Sequence, residues 1–99
     1  MVIWTPRART DLKAIHDYIA QDSPLTAKRI IRELIQKTDS LLVSPYLGKK
    51  VPEFEQQELR EIGVHSWRII YQIKFNQAYV VTVVHKRRDF KNSDLSIDQ

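Results

Sequence analysis

The second half of the chain holds the tightest constraint on the fold. Three runs rich in Val, Ile, Tyr and Trp follow one another there: Leu59–Val64, Trp67–Phe75 and Ala78–His85. They are separated only by turn-forming stretches around Gly63–Ser66 and at Asn76-Gln77. Connections this short leave no room for a crossover, so the three runs predict an antiparallel meander. Such a sheet needs a cover for one face, and the cover has to come from the first half.

The first half supplies it. Ala8, Leu12, Ile15 and Ile19 recur at helical spacing after Thr5-Pro6, a pair suited to capping and opening a helix. Asp22-Ser23-Pro24 repeats that entrance. Ala27, Ile30, Ile31, Leu34, Ile35, Thr38, Leu41 and Leu42 then form a second, wider stripe. Ser44-Pro45 ends it, because the residue before a proline avoids helical geometry. The short link between the stripes predicts an antiparallel helical hairpin. Val2-Ile3-Trp4 reads as a short strand, and Pro45 to Gln57 as a loop with room for one helical turn. The expected class is α+β in the order β-α-α-β-β-β, with the hairpin packed on a meander sheet that the first strand joins.

Composition sets the outer bounds. With 99 residues, one domain is expected over residues 1–90, followed by a polar tail over 91–99. The chain has no cysteine, which excludes a disulfide framework, a thiolate zinc site and a cysteine nucleophile. No stretch approaches the roughly 18 apolar residues of a membrane helix, and Met1 to Asp11 lacks the apolar core of a signal peptide. A cytoplasmic protein with no membrane partner is therefore expected. The three histidines lack metal-ligand spacing, and there is neither a glycine-rich phosphate loop nor a nucleophile elbow. No metal or other cofactor is expected.

The net charge of +4 does not by itself name a partner. Residues 1–50 hold nine basic and five acidic side chains, while residues 51–99 hold seven of each. The second half nevertheless separates its signs. Acids gather between Glu53 and Glu61, and cations at Arg68 and Lys86-Arg87-Arg88. Lys28, Arg29 and Arg32, and the Lys49-Lys50 pair, read as solvated surface, as does His16-Asp17.

A two-residue turn at Asn76-Gln77 would set Ile73 opposite Val80 and Arg68 opposite His85. Trp67, Ile69, Tyr71, Ile73, Val80, Thr82 and Val84 would then face the helices. Arg68, Ile70, Gln72, Val81, Val83, His85 and Arg87 would face away. Opposed residues lie ~5 Å apart at Cβ, so Arg68 and His85 could act on one ligand. An arginine fork holds phosphate, and a histidine moves a proton near neutral pH. Arg68, His85 and Arg87 are therefore candidate catalytic residues for phosphodiester cleavage. In the competing reading, Arg68 and Arg87 pair with Glu53, Glu58, Glu61 or Asp89, and His85 is a strand-end residue.

Several segments, taken in order, resemble the RelE/ParE superfamily of type II toxin–antitoxin toxins. They are Trp4-Thr5-Pro6 with Ala8, Asp11-Leu12, Ile15 through Ala20, Ser23-Pro24 with Ala27, and Pro45-Tyr46-Leu47-Gly48 with Val51-Pro52. Leu59-Arg60-Glu61-Ile62, Trp67 through Tyr71, and Val84 through Asp89 complete the set. The resemblance spans about residues 2 to 89. It implies a toxin of a plasmid-stabilisation module, neutralised by a cognate antitoxin that wraps the groove between hairpin and sheet.

Two branches of that superfamily differ in target. RelE-like toxins cut messenger RNA on the ribosome with basic residues of the sheet, often helped by a terminal tyrosine or a histidine. ParE-like toxins poison DNA gyrase. Arg68 and Arg87 match two functional arginines of the ribonuclease branch. The lysines of its preceding strand are replaced here by Leu59, Arg60 and Glu61, and Glu61 has the wrong sign for phosphate. Ser93 lies where the terminal tyrosine would fall, and no tyrosine follows Tyr79. Leu59-Arg60-Glu61 and His85 through Asp89 look like the ParE branch. The resemblance thus implies a gyrase-directed toxin with Arg60, Arg68, Lys86, Arg87 and Arg88 as binding residues. The alternative is a ribosome-dependent endoribonuclease using Arg68, His85 and Arg87, with Tyr71 as a second proton carrier if exposed.

Overall fold

The structure, a computed structural model, describes residues 2–52 and 58–87. The expected tail over 91–99 and the end of the domain past Arg87 lie outside the described residues. Strand β1 (Ile3–Trp4) leads into helix α1 (Pro6–Ala20), which starts where Thr5 and Pro6 place it. The Thr5 hydroxyl accepts the Ala8 N–H at 3.3 Å and lies 2.8 Å from the Val80 carbonyl, to which it donates. One residue thus caps the helix and ties its entrance to the sheet. Helix α2 (Pro24–Thr38) begins the same way, with Ser23 Oγ accepting the Thr26 N–H at 3.1 Å.

The second helical stripe is not one helix. It breaks at Asp39 and resumes as a single turn, α3 (Ser40–Val43). The Thr38 hydroxyl donates to the Ile35 carbonyl at 2.6 Å, satisfying a group at the break. The break also turns Leu42 outward while Leu41 stays buried, and Ile35 is exposed as well. Ala27, Leu34 and Thr38 form the buried side of α2, against Ala8 and Ile15 of α1.

A 3₁₀ turn (Pro45–Leu47) occupies the expected loop, followed by a strand the sequence did not announce, β2 (Lys49–Lys50). The three predicted strands follow as β3 (Leu59–Val64), β4 (Trp67–Lys74) and β5 (Gln77–His85). The five strands make one sheet in the order β1-β5-β4-β3-β2. β3, β4 and β5 form the meander, and β1 joins its far edge parallel to β5, with Ile3 beside Tyr79 and Trp4 beside Val80. The helices cover one face over a core that includes Ile62, Ile69, Tyr71, Ile73, Val80 and Val83. A smaller cluster, Val51, Leu59, Ile70, Val81 and Val84, lies apart from it.

The β4–β5 register differs from the expected one in two ways. The turn is Phe75-Asn76, not Asn76-Gln77: both residues have left-handed φ values, 51° and 59°. That is the geometry a two-residue hairpin requires for its twist to match the strands. Ile73 therefore opposes Ala78 rather than Val80. The ladder then slips by one residue beside Ile70 and Tyr71, where Tyr71 opposes Val80 and Ile70 opposes Thr82. The slip sends Val83 to the helix-side core and Val84 to the other cluster, the reverse of the expected faces. Asp11 of α1 fixes this irregularity. Its carboxylate accepts the Thr82 hydroxyl and, at 3.0 Å, the Val83 N–H, while Arg7 pairs with it at 3.2 Å.

Candidate functional site

Arg68 stands next to the turn that joins β3 to β4. Register sets Gly63 across from Arg68 and Glu61 across from Ile70, so Arg68 and Glu61 are diagonal neighbours on one face. Arg68 Nε donates to Glu61 Oε1 at 3.0 Å, and Nη2 donates to Oε2 at 3.0 Å. This is a two-pronged fork between side chains only 11% and 10% exposed. A guanidinium so far removed from water needs a matched anion, and Glu61 provides it.

A groove of about 900 Å³ opens over this pair. Lys37, Lys49 and Lys86 line it together with Leu47, Ile62 and Gly63. β2 ends its pairing at Lys49, opposite Glu61, so the groove continues along β3 past that point. Lys86 is placed by its N–H, which donates to the Ser66 carbonyl at 2.8 Å. Its Cε and Nζ would lie 3.4 and 3.8 Å from a Cβ at position 63, so glycine there leaves the lysine its place along the strand.

The other predicted residues are dispersed. His85 opposes Trp67, not Arg68, which puts it on the opposite face from the arginine. Its ring meets the Trp67 ring edge-on, with centroids 5.3 Å apart. The expected Arg68–His85 juxtaposition therefore does not form, because of the turn and slip described above. Arg87 is exposed, and its N–H donates to His85 Nδ1 at 3.2 Å. Arg88 lies outside the described residues. Tyr71 is fully buried, so the exposure on which its proton-carrying role was conditional is absent. Burial pushes its hydroxyl above the usual tyrosine range, offset in part by the Gly48 N–H and the charge of Arg60.

Tyr71 instead anchors the loop that carries β2. Its hydroxyl donates to the Pro45 carbonyl at 2.8 Å and accepts the Gly48 N–H at 2.8 Å. Position 48 must be glycine, since a Cβ there would stand 2.6 Å from both the Glu61 carbonyl and the Tyr71 hydroxyl. Arg60, on the same face as Tyr71, donates from Nη1 to the Gly48 carbonyl at 2.8 Å. Its guanidinium lies over the Tyr46 ring, 5.1 Å from the centroid, while its Nε is buried without a hydrogen-bond partner. Arg60 therefore braces the loop rather than facing the groove, whose lining does not include it. The Pro45-to-Gly48 segment was legible as a motif, but its tie to Tyr71 was not, because the two are far apart in sequence.

The remaining surface groups behave as solvated pairs. Arg29 pairs with Glu33 at 2.8 Å, and His16 with Asp17 at 3.1 Å. His65, at the β3–β4 turn with φ 55°, reaches Glu33 at 2.8 Å and so links α2 to the sheet. Among the described residues no acid–histidine cluster suited to a metal ion occurs.

Comparison with known proteins decides the family. The profile described as "ParE toxin of type II toxin-antitoxin system, parDE" matches residues 2–90. The chain belongs to the ParE toxin family. It is also 38% identical over 88 residues to "Toxin RelE2" of Caulobacter vibrioides (strain ATCC 19089 / CIP 103742 / CB 15), covering 88% of this chain and 96% of that one. A solved structure described as "Chromosomal ParDE TA system from P. aeruginosa" shares the fold, with a TM-score of 0.71. That match covers 85% of this chain and 92% of the other at 20% identity. The ParE toxin described here is thus a type II toxin, and membership of its family implies a cognate antitoxin. No helix among the described residues is long and apolar enough to cross a membrane.

Proposed function

We propose that this ParE-family toxin acts by binding and inhibiting DNA gyrase, and that an antitoxin neutralises it in a plasmid-stabilisation module. One observation carries the reading: among the described residues, the candidate groups for phosphodiester cleavage are not assembled. Arg68 is held by Glu61, His85 is on the other face, and Tyr71 is buried. A toxin that works by occupying a partner's surface needs none of them brought together. Lys86 and Arg87 are exposed at the end of β5 and offer the partner positive charge. The reading is tested by plasmid supercoiling with purified gyrase. Supercoiling should fall as toxin is added; unimpaired supercoiling at a large toxin excess would refute it.

The name of the Caulobacter relative favours a second reading, a ribosome-dependent endoribonuclease. In it Arg68 and Arg87 would steady the phosphate and His85 would move the proton. Mapping message ends on programmed ribosomes decides the matter, because toxin-dependent cuts lost in Arg68→Ala and His85→Ala would establish the nuclease.

The antitoxin is proposed to dock in the second cavity, about 430 Å³, between β1 and the helices. Ile3, Trp4, Leu12, Ile35 and Leu42 line it. The exposed Ile3, Ile35 and Leu42 explain themselves there as apolar contacts awaiting a partner segment. The protein is placed in the cytoplasm on this reading.

A further inference from the structure

A two-residue hairpin turn needs positive φ at both positions, and asparagine or glycine is the usual occupant of the first. Here the first is Phe75, at φ 51°, with its side chain 91% exposed. An aromatic ring there strains the turn and leaves a large apolar group in water, and the fold gains nothing in return. Leu42 and Val43 of α3 are 52% and 88% exposed. α3 packs against β5, and Leu42 helps to line a hollow of about 120 Å³ beneath the turn. Val2, Leu41 and Ala78 line it too, with Asn76 and Gln77. We infer that this end of the molecule is a self-association surface, on which each of two copies seats its Phe75 ring in the other's hollow.

Knob and hollow lie side by side in one patch. A two-fold pair requires that arrangement, since both copies present the same surface and every contact is made twice. The sizes match: an apolar cavity of about 150 Å³ holds benzene, and this hollow is of similar volume. The knob is also rigid. Lys74 and Gln77 pair directly on either side of the turn, and Lys74 Nζ lies 6.0 Å from the centre of the Tyr79 ring. Little further ordering is needed when the ring is buried. The exposed parts of Leu42, Val43 and Phe75 come to roughly 400 Å² per copy, close to half of it from the ring. With a polar rim around that core, the pair reaches the lower end of specific interfaces, about 1,200 Å² in total. A reversible dimer is therefore expected, not a permanent one. It does not depend on which cellular target the toxin meets.

The test is sedimentation equilibrium of the full chain without antitoxin, from about 10 μM to about 1 mM, the range expected for a contact of this size. The unmodified chain should pass from monomer to dimer across it. Phe75→Asn should weaken association at least about tenfold, the loss expected of an aromatic anchor. At low concentration it should melt no lower than the unmodified chain, because asparagine tolerates positive φ. In NMR spectra of the unmodified chain, the methyl signals of Val2, Leu41 and Leu42 should shift with concentration as the second copy's ring comes over them. A monomer at every concentration, a dimer that Phe75→Asn leaves unchanged, or a dimer that moves none of those methyl signals would overturn the inference. If Phe75→Asn does not fold, the concentration dependence of the methyl signals decides alone.

Discussion

Tyr71→Phe removes a single oxygen and nothing else from the core. That oxygen has two backbone partners, the Pro45 carbonyl as acceptor and the Gly48 N–H as donor, each at 2.8 Å. Tyr71 is fully buried, so neither orphaned group has the phenol's side of the cavity filled by water when Phe replaces it. Each buried polar group left without a partner costs about 1–3 kcal/mol, and some of that is returned by no longer desolvating the phenol. A net loss of about 2–4 kcal/mol follows, large against a typical total of about 5–15 kcal/mol. In a domain of this size it lowers the melting temperature by about 10–25 °C. The damage should be concentrated in the loop, since Gly48 also supplies the carbonyl that holds Arg60.

Urea unfolding gives the free energy, with the slope expected to be unchanged. Tyr79→Phe is the control, because among the described residues its hydroxyl meets only the exposed Gln77 side chain, at 3.3 Å; it should change stability by less than about 0.5 kcal/mol. Equal, small losses from both substitutions would refute the view that Tyr71 anchors the loop. The same hydroxyl carries a pH signature. Its pKa is raised in the folded state, so the fold retains the proton longer than the unfolded chain does. That contribution is complete below 10.0 and is lost as pH rises through the folded value. Tyr71→Phe should remove this alkaline loss.

Other substitutions test the remaining ties. Arg68→Met strands the buried Glu61 carboxylate and should cost about 3–5 kcal/mol in urea unfolding. Asp11→Asn should cost about 1–3 kcal/mol and speed hydrogen exchange at the Val83 amide, which the carboxylate accepts. Leu42→Asp places a charge in the cavity between β1 and the helices, and it should weaken antitoxin binding in calorimetry without changing the melting temperature of the free toxin. Glu33 has its pKa lowered by its contact with His65 first and by Arg29 second. Its stabilising contribution is therefore present above 4.5 and lost as pH falls below it, so Glu33→Gln should flatten the acid limb of the stability profile.

The elements were legible where the pattern is local. The two helix entrances at Thr5-Pro6 and Ser23-Pro24 were readable because caps and prolines act within one turn. The three long strands were readable because their β-branched and aromatic runs are interrupted by turns. β2 was not, since Lys49-Lys50 has no strand pattern and pairs only because Gly48 is held by Tyr71. The β4–β5 register was misplaced because Phe75 is not a residue expected at positive φ, and because the slip beyond it is fixed by Asp11 on a distant helix. The shifted turn and the slip together part Arg68 from His85. The pairing of Arg68 with Glu61 is the competing reading of the sequence, and it forms. Opposite charges at the same face of adjacent strands find each other once burial removes water as an alternative. Arg60 is implied as a binding residue by the family resemblance, and its engagement with Gly48 and Tyr46 depends on a loop whose path only the structure shows.

This ParE toxin is proposed to stall gyrase and not to cut message. The most direct measurement is the conversion of relaxed to supercoiled plasmid by purified gyrase across a toxin titration, with the cognate antitoxin added back at the highest dose. Supercoiled product should fall with dose and recover with antitoxin. Full supercoiling at every dose, from a toxin preparation that arrests growth and leaves cut message on ribosomes, would contradict it.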